Sequence, residues 1–409
     1  MPTAGGPNTL GESNLVFAYD TSDVKNSYKG EPTVNLITNA DTMASWTTYY
    51  RTVTLTSFIT EFGTTGYRFA SQPSWNGIYK NFNLGSAGFY TFSAWFKYSG
   101  GSVNNNGATV YISNYGGGDT AAALDKTKVG IWQRVSFTVN VTSPSNVYFF
   151  LISFGGTDNG TGNPDFSSWE VTMPQIEPLS HSTPFVNGTR SVTQGLLPLV
   201  GNSTINLSNV SFDSNAQMVF DGTNDYVNLG SYLHNMDTST LSIEIVFKTN
   251  VVTGNALILL GWHENEYPHG YICLGNFTGH WGNETISFYN EGPGTTALSF
   301  AYTNGHSLLS DTLYHHVVFI LQTNNYKIYI DGVEVAVNAS FRNGSQSTVM
   351  PSNLFGYGTT PSVVLGAGSS PANSFFNGNI PITKIYNRAL TAQEVKQNYQ
   401  QYKTRFNLS

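Results

Sequence analysis

Charged residues are scarce in this chain of 409 residues. Only 11% of the residues are Asp, Glu, Lys or Arg, against about 25% in an average soluble domain. The surface must therefore consist largely of Ser, Thr, Asn and Gly, the residues of turns and strand edges. Together with 14% aromatic residues, this composition is typical of an all-β protein with many turns. It suits a particle surface or a fibre better than a cytosolic enzyme.

Other features are also missing, and each absence excludes a class of protein. The net charge is −7 and no basic block occurs, so a nucleic-acid footprint is absent. The single cysteine, Cys273, excludes an internal disulfide framework and a cysteine-based zinc site. No apolar run approaches the ~20 residues of a membrane helix. The first residues, MPTAGGPNTLGESN, lack the basic and apolar regions of a signal peptide.

Short alternating runs separated by Gly, Asn and Pro fill most of the chain. GFYTFSAWFKYSG (88–100), IWQRVSFTVNV (131–141) and NVYFFLISF (146–154) follow one another at the spacing of a sandwich or jelly roll. After a polar, turn-rich stretch, a second series runs over 216–390. The sequence therefore predicts an all-β fold of two jelly-roll or β-sandwich domains. It also predicts core positions for three tryptophans of the first series, Trp95, Trp132 and Trp169.

Two local patterns define individual elements. The segment VFILQTNNYKIYIDGVEVAV (318–337) alternates with a period of two. Its Asn-Asn and Asp-Gly pairs tolerate the positive φ of tight turns, so three antiparallel strands are predicted. Near the C-terminus, Thr391 and Glu394 form a capping box. A short helix is therefore predicted to pack on the second sandwich through residues at helical spacing, Val395, Tyr399, Tyr402 and Phe406.

The domain boundaries follow from where the periodicity weakens. We expect an N-terminal arm or attachment segment over 1–34, one jelly roll over 35–190 and a second sandwich over 191–409. The arm is too short and too poor in apolar residues to form a core of its own. Its apolar stretch LVFAY would instead add a strand, either to the second domain of the same chain or to a neighbouring protein.

The second half resembles a known family. FDGTNDYVNLG, LSIEIVFK, LYHHVVFILQTNNYKIYIDGVEVA and FFNGNIPITKIYNRALTAQEVKQNY resemble, in this order, the laminin-G-like, concanavalin-A-type jelly roll. The likeness covers nearly all of residues 213–409. It implies that the 318–337 hairpins are the antiparallel centre of that fold. His315 and His316 would occupy the family's Trp-His-His-Val position, with Tyr314 in place of the tryptophan.

The first half has a resemblance of its own. IWQRVSFTVNV followed by MPQIEPLSHSTPFVNGTRS is similar to the carbohydrate-binding-module-type jelly roll of tailed-phage structural proteins. The segment NLVFAYDTSDVKNSYKGEPTVNL is similar to the start of phage virion proteins that carry laminin-G-like domains. The resemblance implies a non-enzymatic, homo-oligomeric protein of the virion, as capsid decoration or as tail fibre or adhesin. It would contact other virion proteins through the N-terminal arm and a host-surface polysaccharide through its lectin-like domains.

A glycosidase on the same scaffold is the alternative. Such an enzyme needs two carboxylates, roughly 5 to 10 Å apart, across a cleft. The strand-like runs offer Glu244 and Glu334 singly, and both are expected to be solvated side chains. No catalytic residue is therefore predicted, although a polysaccharide-degrading or sugar-binding enzyme component stays open as the rival function.

Sugar recognition needs an exposed aromatic ring beside hydrogen-bonding groups. One candidate pair is Trp75 with Asn76, in SQPSWNGIYKNF. The second group lies in GWHENEYPHGYICLGNFTGHWGNE (261–284), interpreted as one long insertion, and consists of Trp262, Tyr267, His269 and Trp281. The alternative interpretation of each of these tryptophans is a position in the core. His263 and Glu266 of the same stretch have ligand types that suit zinc, but irregular spacing favours a loop.

A calcium site is implied by the laminin-G-like resemblance. Many members of the family hold Ca²⁺ at the rim of the sandwich through an FDGxxD turn. Here that turn would supply Asp221, Asn224 and Asp225, and hard oxygen ligands suit calcium. The sequence departs from the family where Pro381 replaces an expected aspartate. The alternative is that the two carboxylates only cap a hairpin.

Overall fold

The structure is a computed structural model. It describes residues 12–38, 42–50, 52–73, 75–101, 107–113, 118–143, 145–153, 166–213, 217–230, 232–250, 257–262, 269–275, 286–291, 298–303, 311–323, 325–339, 354–355, 363–368 and 375–408. These residues are mostly β-strand with one short C-terminal helix, which confirms the predicted fold class. Within the described segments, no helix is both long and apolar enough to span a membrane.

The described residues form the following elements in chain order. The first thirteen strands are β1 (Leu15–Asp20), β2 (Thr33–Val34), β3 (Thr47–Tyr49), β4 (Thr56–Ile59), β5 (Thr65–Pro73), β6 (Gly77–Leu84), β7 (Gly88–Gly101), β8 (Ala108–Ser113), β9 (Thr120–Ala123), β10 (Trp132–Val141), β11 (Ser145–Ser153), β12 (Phe166–Glu177) and β13 (Thr189–Arg190). The others are β14 (Asn206–Ser208), β15 (Ser211–Phe212), β16 (Met218–Asp221), β17 (Tyr226–Asn228), β18 (Thr240–Thr249), β19 (Leu257–Trp262), β20 (His269–Leu274), β21 (Ile286–Glu291), β22 (Leu298–Tyr302), β23 (Tyr314–Gln322), β24 (Asn325–Ile330), β25 (Val333–Val335), β26 (Asn338–Ala339), β27 (Val363–Leu365) and β28 (Asn377–Tyr386). Short 3-10 helices cover Met43–Ser45 and Tyr232–Asn235, and helix α1 covers Ala392–Phe406.

The chain divides into two compact units. The inserted unit is Pro32–Ser191, and the split unit combines the described residues of Met1–Glu31 with those of Val192–Ser409. The first strand of the chain thus belongs to the same unit as its last helix. Such an insertion is possible because β2 and β13, at the two ends of the inserted unit, pair with each other.

The inserted unit contains two five-stranded antiparallel sheets. Sheet I has the order β10-β7-β12-β5-β4, and sheet II has the order β3-β6-β11-β8-β9. Trp169 is fully buried in the core and stacks on Phe69 at 3.8 Å between ring centroids, which confirms its predicted position. Trp95 and Trp132 were predicted there too, and that was wrong. They alternate with the core residues Phe96 and Val135 and so lie half-buried on the outward side of sheet I.

A buried carboxylate fixes the segment that leaves the inserted unit. Glu177 lies at the end of β12 and accepts a hydrogen bond from the Thr183 backbone N–H at 3.1 Å. The guanidinium of Arg134 is 3.7 Å from the same carboxylate. Burial raises the pKa of the Glu177 carboxyl, and these partners partly oppose that shift. These contacts therefore hold the segment MPQIEPLSHSTPFVNGTRS against sheet I.

The split unit consists of two eight-stranded sheets and α1. Sheet III has the order β15-β16-β28-β18-β23-β24-β25, with β1 also paired to β28. Sheet IV has the order β14-β17-β27-β19-β20-β21-β22-β26. The predicted strands β23, β24 and β25 are confirmed, and Asp331 and Gly332 close the second turn with φ values of 49° and 78°. A side chain at Gly332 would lie 2.8 Å from the ring of Tyr399 in α1, so the turn needs glycine.

The first strand is an internal part of sheet III. β1 runs antiparallel to β28, from Leu15 opposite Tyr386 to Asp20 opposite Ile382. On its other edge, the carbonyl of Ala18 accepts a hydrogen bond from Leu199 at 2.7 Å. β1 therefore pairs with strands of its own chain, in the split unit. Of the two predicted alternatives for this strand, pairing within the same chain is confirmed, whereas contact of the N-terminal arm with other virion proteins stays a prediction.

Helix α1 has the predicted start and the predicted packing side. The Thr391 hydroxyl accepts from the Glu394 backbone N–H, and the Glu394 side chain accepts from the Thr391 backbone N–H. The buried residues are the predicted ones, Val395, Tyr399, Tyr402 and Phe406. Arg405 near the C-terminal end of the helix donates two hydrogen bonds to Asp20 at the end of β1. The helix therefore holds the N-terminal strand as well as covering sheet III.

Removing the contacts of β1 should destabilise the split unit. Phe17 is fully buried in the main core of this unit, so we expect Phe17→Ala to lower the free energy of unfolding by about 3–5 kcal/mol. Val24→Ala, at an exposed position of the same segment, should change it by less than about 0.5 kcal/mol. Urea unfolding of the full chain measures both. A fragment of residues 192–409 that melts at the temperature of the intact split unit would contradict this role of β1.

Candidate functional site

Sheet II presents aromatic rings on both of its sides. On the core side lie Ile78, Val110 and Phe149, among others. Because side chains alternate along each strand, the neighbouring residues point away from this core. We call these outward rings and the adjacent tryptophan the tyrosine face, which consists of Tyr49, Tyr79, Tyr111, Tyr148, Phe150 and Trp75.

Strand register brings the rings of the tyrosine face into contact. Phe150 of β11 is directly opposite Tyr79 of β6 and Tyr111 of β8. Its ring centroid is 5.1 Å from each of these two tyrosines. Tyr49 of β3 adds an edge-on contact with Phe150 at 4.9 Å. Cross-strand aromatic pairs stabilise a sheet, so the rings form one connected patch over four strands.

The patch has a buried centre and an open rim. Phe150 is buried, and the four tyrosines around it have their ring centroids 4.9–6.3 Å away. Tyr148 keeps 37% of its surface exposed and lies 5.9 Å from Tyr79. The result is a shallow, ring-lined surface on which an apolar face of a ligand can rest.

Trp75 extends the patch beyond Tyr111. The two rings are perpendicular, with centroids 6.1 Å apart, and Trp75 is 37% exposed. Its φ of 66° lies in the left-handed region, which costs a bulky residue on the order of 1–3 kcal/mol. The Trp75 backbone N–H donates to the carbonyl of Ser153 at 2.7 Å and helps to hold this conformation. The neighbouring Asn76 is buried, so its amide is closed to a ligand and its prediction as a sugar contact was wrong.

The outward positions around the rings carry amides and hydroxyls. Asn81 and Ser113 are opposite Tyr148 on the two neighbouring strands, and Asn146 follows on β11 itself. At the edge of the patch, Asp119 accepts the hydrogen bond of the Tyr111 hydroxyl. Among the described outward positions of the five strands, none has a charged side chain. Amides and hydroxyls beside aromatic rings match the polar rim and apolar faces of an uncharged sugar.

Of the six rings of the tyrosine face, Trp75 was predicted from the sequence as a sugar contact, and the other five were not. The available signal was the run NVYFFLISF, which is apolar at consecutive positions and not only at alternate ones. A strand with rings on both faces cannot bury them all in one sandwich core. The tyrosines of TVYIS and GIYKNF gave the same signal on the neighbouring strands.

Trp262 belongs to the core of the split unit. It is 1% exposed, and its ring lies 5.7 Å from Phe288 and 5.6 Å from Phe355. The indole N–H donates to the side-chain oxygen of Asn290 at 3.4 Å. The prediction that Trp262 stacks on a sugar was therefore wrong, because no face of its ring is accessible.

The stretch 261–284 is also not one insertion. Gly261 and Trp262 end β19, and residues 269–274 form β20, paired with β19 in the core sheet. His269 begins β20, and its side chain lies outside what the structure describes. Tyr267 and Trp281 fall outside the described residues, as do His263 and Glu266. These four residues therefore stay predictions.

The predicted calcium ligands form a hairpin turn. The Asp221 carboxylate accepts the N–H of Thr223 at 2.7 Å, and the Asp225 carboxylate accepts the N–H of Asp221 at 2.7 Å. The Asn224 carbonyl accepts from Asn209 at 3.3 Å. Calcium needs six to eight oxygen ligands, and no group of three His, Cys, Asp or Glu ligands occurs in the described parts of the chain. Both carboxylates hold backbone N–H groups of the turn, which favours the hairpin, and the calcium site stays a prediction.

Glu244 is buried in the split unit, where it was predicted to be solvated. Its carboxylate lies on β18 beneath α1 and accepts from Asn398 at 3.0 Å. The ring nitrogen Nε2 of His316 is 2.7 Å away, and the hydroxyl of Tyr386 is 3.2 Å away. Tyr386 in turn contacts Glu12 at 2.5 Å, and Glu12 pairs with Lys384. The sandwich and α1 are thus joined by a polar network that is buried except at Glu12 and Asn398.

The electrostatics of this network keep Glu244 ionised. Burial alone would raise the pKa of its carboxyl, but the charge of Lys384 and the hydrogen bond of His316 outweigh that effect. The pKa therefore lies below its usual value. A second buried histidine, His315, bridges Asp331 and Asp311. Burial would lower the pKa of His315, yet these two carboxylates raise it above its usual value.

A family model matches most of the second half of the chain. Residues 221–396 match the family model described as the concanavalin A-like lectin/glucanases superfamily. The split unit contains a concanavalin A-like domain. This agrees with the resemblance seen in the sequence over residues 213–409. No curated protein matches the sequence.

Several solved structures are similar in fold over about half of the chain. The binding domain of botulinum neurotoxin DC, solved with rat synaptotagmin II, is 12% identical with a TM-score of 0.36, over 51% of this chain and 50% of that one. Domain 4 of the arabinanase AbnA from Geobacillus stearothermophilus, solved with arabinotriose, is 18% identical with a TM-score of 0.32, over 49% and 84%. The CBM40 of the Ruminococcus gnavus IT-sialidase is 13% identical with a TM-score of 0.33, over 47% and 96%. The aligned part thus spans only about half the length of the neurotoxin domain.

The polar network around Glu244 predicts how the free energy of unfolding depends on acid pH. We expect Glu244→Gln to lower the free energy of unfolding by about 3 kcal/mol, because a buried ion pair loses one partner. Since the pKa of Glu244 is lowered in the folded state, its stabilisation is present above about pH 4.3, the value of an unperturbed glutamate, and is lost as the pH falls further. The variant should lack this part of the acid dependence. Urea unfolding between acid and neutral pH measures both effects.

Glu334 supplies the matched control for this variant. It is also a strand carboxylate with a lysine partner, Lys327, but it is 46% exposed. Glu334→Gln should change the free energy of unfolding by less than about 0.5 kcal/mol. Equal effects of the two substitutions would show that burial of Glu244 is not what makes it important.

Proposed function

We propose that this chain is a non-enzymatic glycan-binding structural protein of a tailed-phage particle. It would be displayed on the capsid as decoration or on the tail as a fibre or adhesin. The tyrosine face of the inserted unit carries the binding part of the proposal, because its exposed, uncharged rings have no role in the core. The phage part is supported by the resemblance of the first half of the sequence, with its N-terminal segment, to virion proteins.

The chemistry of the tyrosine face suits a neutral sugar. The C–H faces of a pyranose ring are apolar and can stack on Tyr148 or Trp75, while ring edges meet the amides of Asn81 and Asn146. Aromatic contacts of this kind contribute about 0.5–1.5 kcal/mol each. A single site is therefore weak, and a homo-oligomer on a particle would strengthen attachment through multivalency.

The rival function, a polysaccharide-degrading component, would need two carboxylates that reach a bound sugar. In the described residues, the carboxylate next to the tyrosine face is Asp119 at its edge. The Glu12 and Glu244 carboxylates do approach one hydroxyl, that of Tyr386, but Glu244 is buried beneath α1. A bound polymer therefore cannot contact the Glu244 carboxylate. These observations support binding without cleavage.

Replacing single rings of the tyrosine face should weaken glycan binding and leave the fold intact. We expect Tyr148→Ala and Tyr79→Ala each to weaken binding of neutral oligosaccharides about 10-fold, since each removes one stacking surface. Tyr232→Ala, an exposed tyrosine of the split unit, is the matched control and should bind like the wild type. A glycan array with the oligomeric protein, followed by calorimetry on the best ligand, gives the affinities.

Two results would oppose the binding proposal. Unchanged affinity in both tyrosine variants would place the glycan elsewhere. Release of new reducing ends from the bound polymer, lost in a Glu244→Gln variant that stays folded, would favour the enzyme instead.

The virion part of the proposal has its own test. Mass spectrometry of purified phage particles from the genome that encodes this chain should detect it as a component. Hundreds of copies per particle would place it on the capsid, and a few copies would place it on the tail. Its absence from purified particles would contradict a structural role there.

A further inference from the structure

The outward side of sheet I carries a second aromatic surface on the inserted unit. Trp95 of β7 and Trp132 of β10 lie there, half-buried. Phe62 lies between them, with its ring 5.3 Å from Trp95 and 5.7 Å from Trp132. Phe62 is 43% exposed, and Ile131 next to Trp132 is also exposed. We call this surface, with the charged residues Arg68, Lys97 and Glu170 beside it, the tryptophan face.

A hairpin tip holds Phe62 in this position. Thr60 and Thr64 close the turn between β4 and β5 through a backbone hydrogen bond of 2.9 Å. The Thr64 hydroxyl contacts that of Thr172 on β12 at 2.9 Å, which fixes the tip to sheet I. Gly66 permits this fold, because a side chain there would lie 2.7 Å from Thr60. The ring of Phe62 is therefore a positioned feature of the surface.

Three strands place charged residues beside the rings. Lys97 is directly opposite Trp132 on one side and Glu170 on the other, and Glu170 is opposite Arg68. Lys97 lies 3.2 Å and Arg68 lies 2.6 Å from the Glu170 carboxylate. The ammonium of Lys97 also lies 5.5 Å from the Trp132 ring centroid.

Burial differs between the two signs of charge. The side chains of Arg68 and Lys97 are 56% and 31% exposed, whereas that of Glu170 is 5% exposed. Arg134, two residues after Trp132 on β10, pairs with the fully buried Glu177. In each of these ion pairs, the cation is thus more accessible to a ligand than its carboxylate. The tyrosine face has no cation at its described outward positions, so the two faces differ in chemistry.

We propose that the tryptophan face is a second glycan site, specific for an acidic polysaccharide. Phe62, Trp95 and Trp132 take the apolar faces of the sugar rings. Arg68 and Lys97 bind the anionic group, which is the carboxylate of a uronic acid or the sulfate of a sulfated sugar. The inserted unit then engages neutral sugar on one sheet and acidic sugar on the other. This site does not depend on the tyrosine face, so the two proposals can fail separately.

Binding to three soluble polymers tests the proposal. Polygalacturonate offers carboxylates, dextran sulfate offers sulfates and dextran is the neutral control, each measured with the full chain by biolayer interferometry. We expect binding to at least one acidic polymer, and the stronger of the two identifies the anion. Near-molar salt should weaken it at least about 10-fold, because the Debye length falls to about 3 Å at 1 M.

Variants locate the site on the tryptophan face. Arg68→Gln leaves Lys97 to neutralise Glu170, and Phe62→Ala removes an exposed ring from a hairpin tip, so both should fold. Each should weaken binding of the acidic polymer by about 10-fold or more. Tyr148→Ala should leave that affinity unchanged. Thermal melting of each variant confirms that it is folded.

Three results would overturn the inference. The first is that neither acidic polymer binds the wild type. The second is that Arg68→Gln and Phe62→Ala are folded and bind like the wild type. The third is that duplex DNA binds as well as the acidic polymer, since a polyanion without accessible sugar faces would then suffice.

Discussion

The alternation of side chains along a β-strand is the constraint on which this molecule depends. Each strand of a sandwich turns one set of side chains into the core and the other set outward. In the inserted unit, both sets are rich in rings, as consecutive residues Tyr148, Phe149 and Phe150 show. The core accepts Phe149, and the other two rings must lie outside it. The tyrosine face follows from this register and from the low charge content of the chain.

In the split unit, by contrast, the outward side of sheet III is covered. The side of sheet III that faces away from its main core carries Glu244, His316 and Lys384, and α1 covers them. Burial of the Glu244 carboxylate and the Lys384 ammonium is tolerated because each has a partner. The strand β1 supplies one of those partners through the preceding residue Glu12. This side of sheet III is thus covered, while the inserted unit keeps outward rings accessible.

Local patterns predicted the elements well, because their causes are local. The hairpins β23–β25 depend on turn residues such as Asp331 and Gly332, and α1 depends on Thr391 and Glu394. Periodicity could not show which side of a strand is the core side when both sides are aromatic. Trp95 and Trp132 were for that reason placed in the core, and Trp262 was placed on the surface. The pairing of β1 with β28 joins opposite ends of the sequence and has no local signal.

The burial of Glu244 was missed for a related reason. A single glutamate in an apolar strand looks solvated until its partners are known, and His316, Lys384 and Asn398 come from three distant segments. The same holds for the tyrosine face, whose rings come from four strands. The low charge content of the sequence indicated an uncharged surface. The strand register determines which residues form it.

The outward rings of sheet II are proposed to bind a neutral glycan. A crystal structure of the full chain soaked with a neutral oligosaccharide that it binds in solution tests this most directly. We expect sugar density stacked on Tyr148 or Trp75, with hydroxyl groups within hydrogen-bond distance of the amides of Asn81 and Asn146. Sugar bound only at another surface, with the tyrosine face accessible in the crystal and bare, would contradict it.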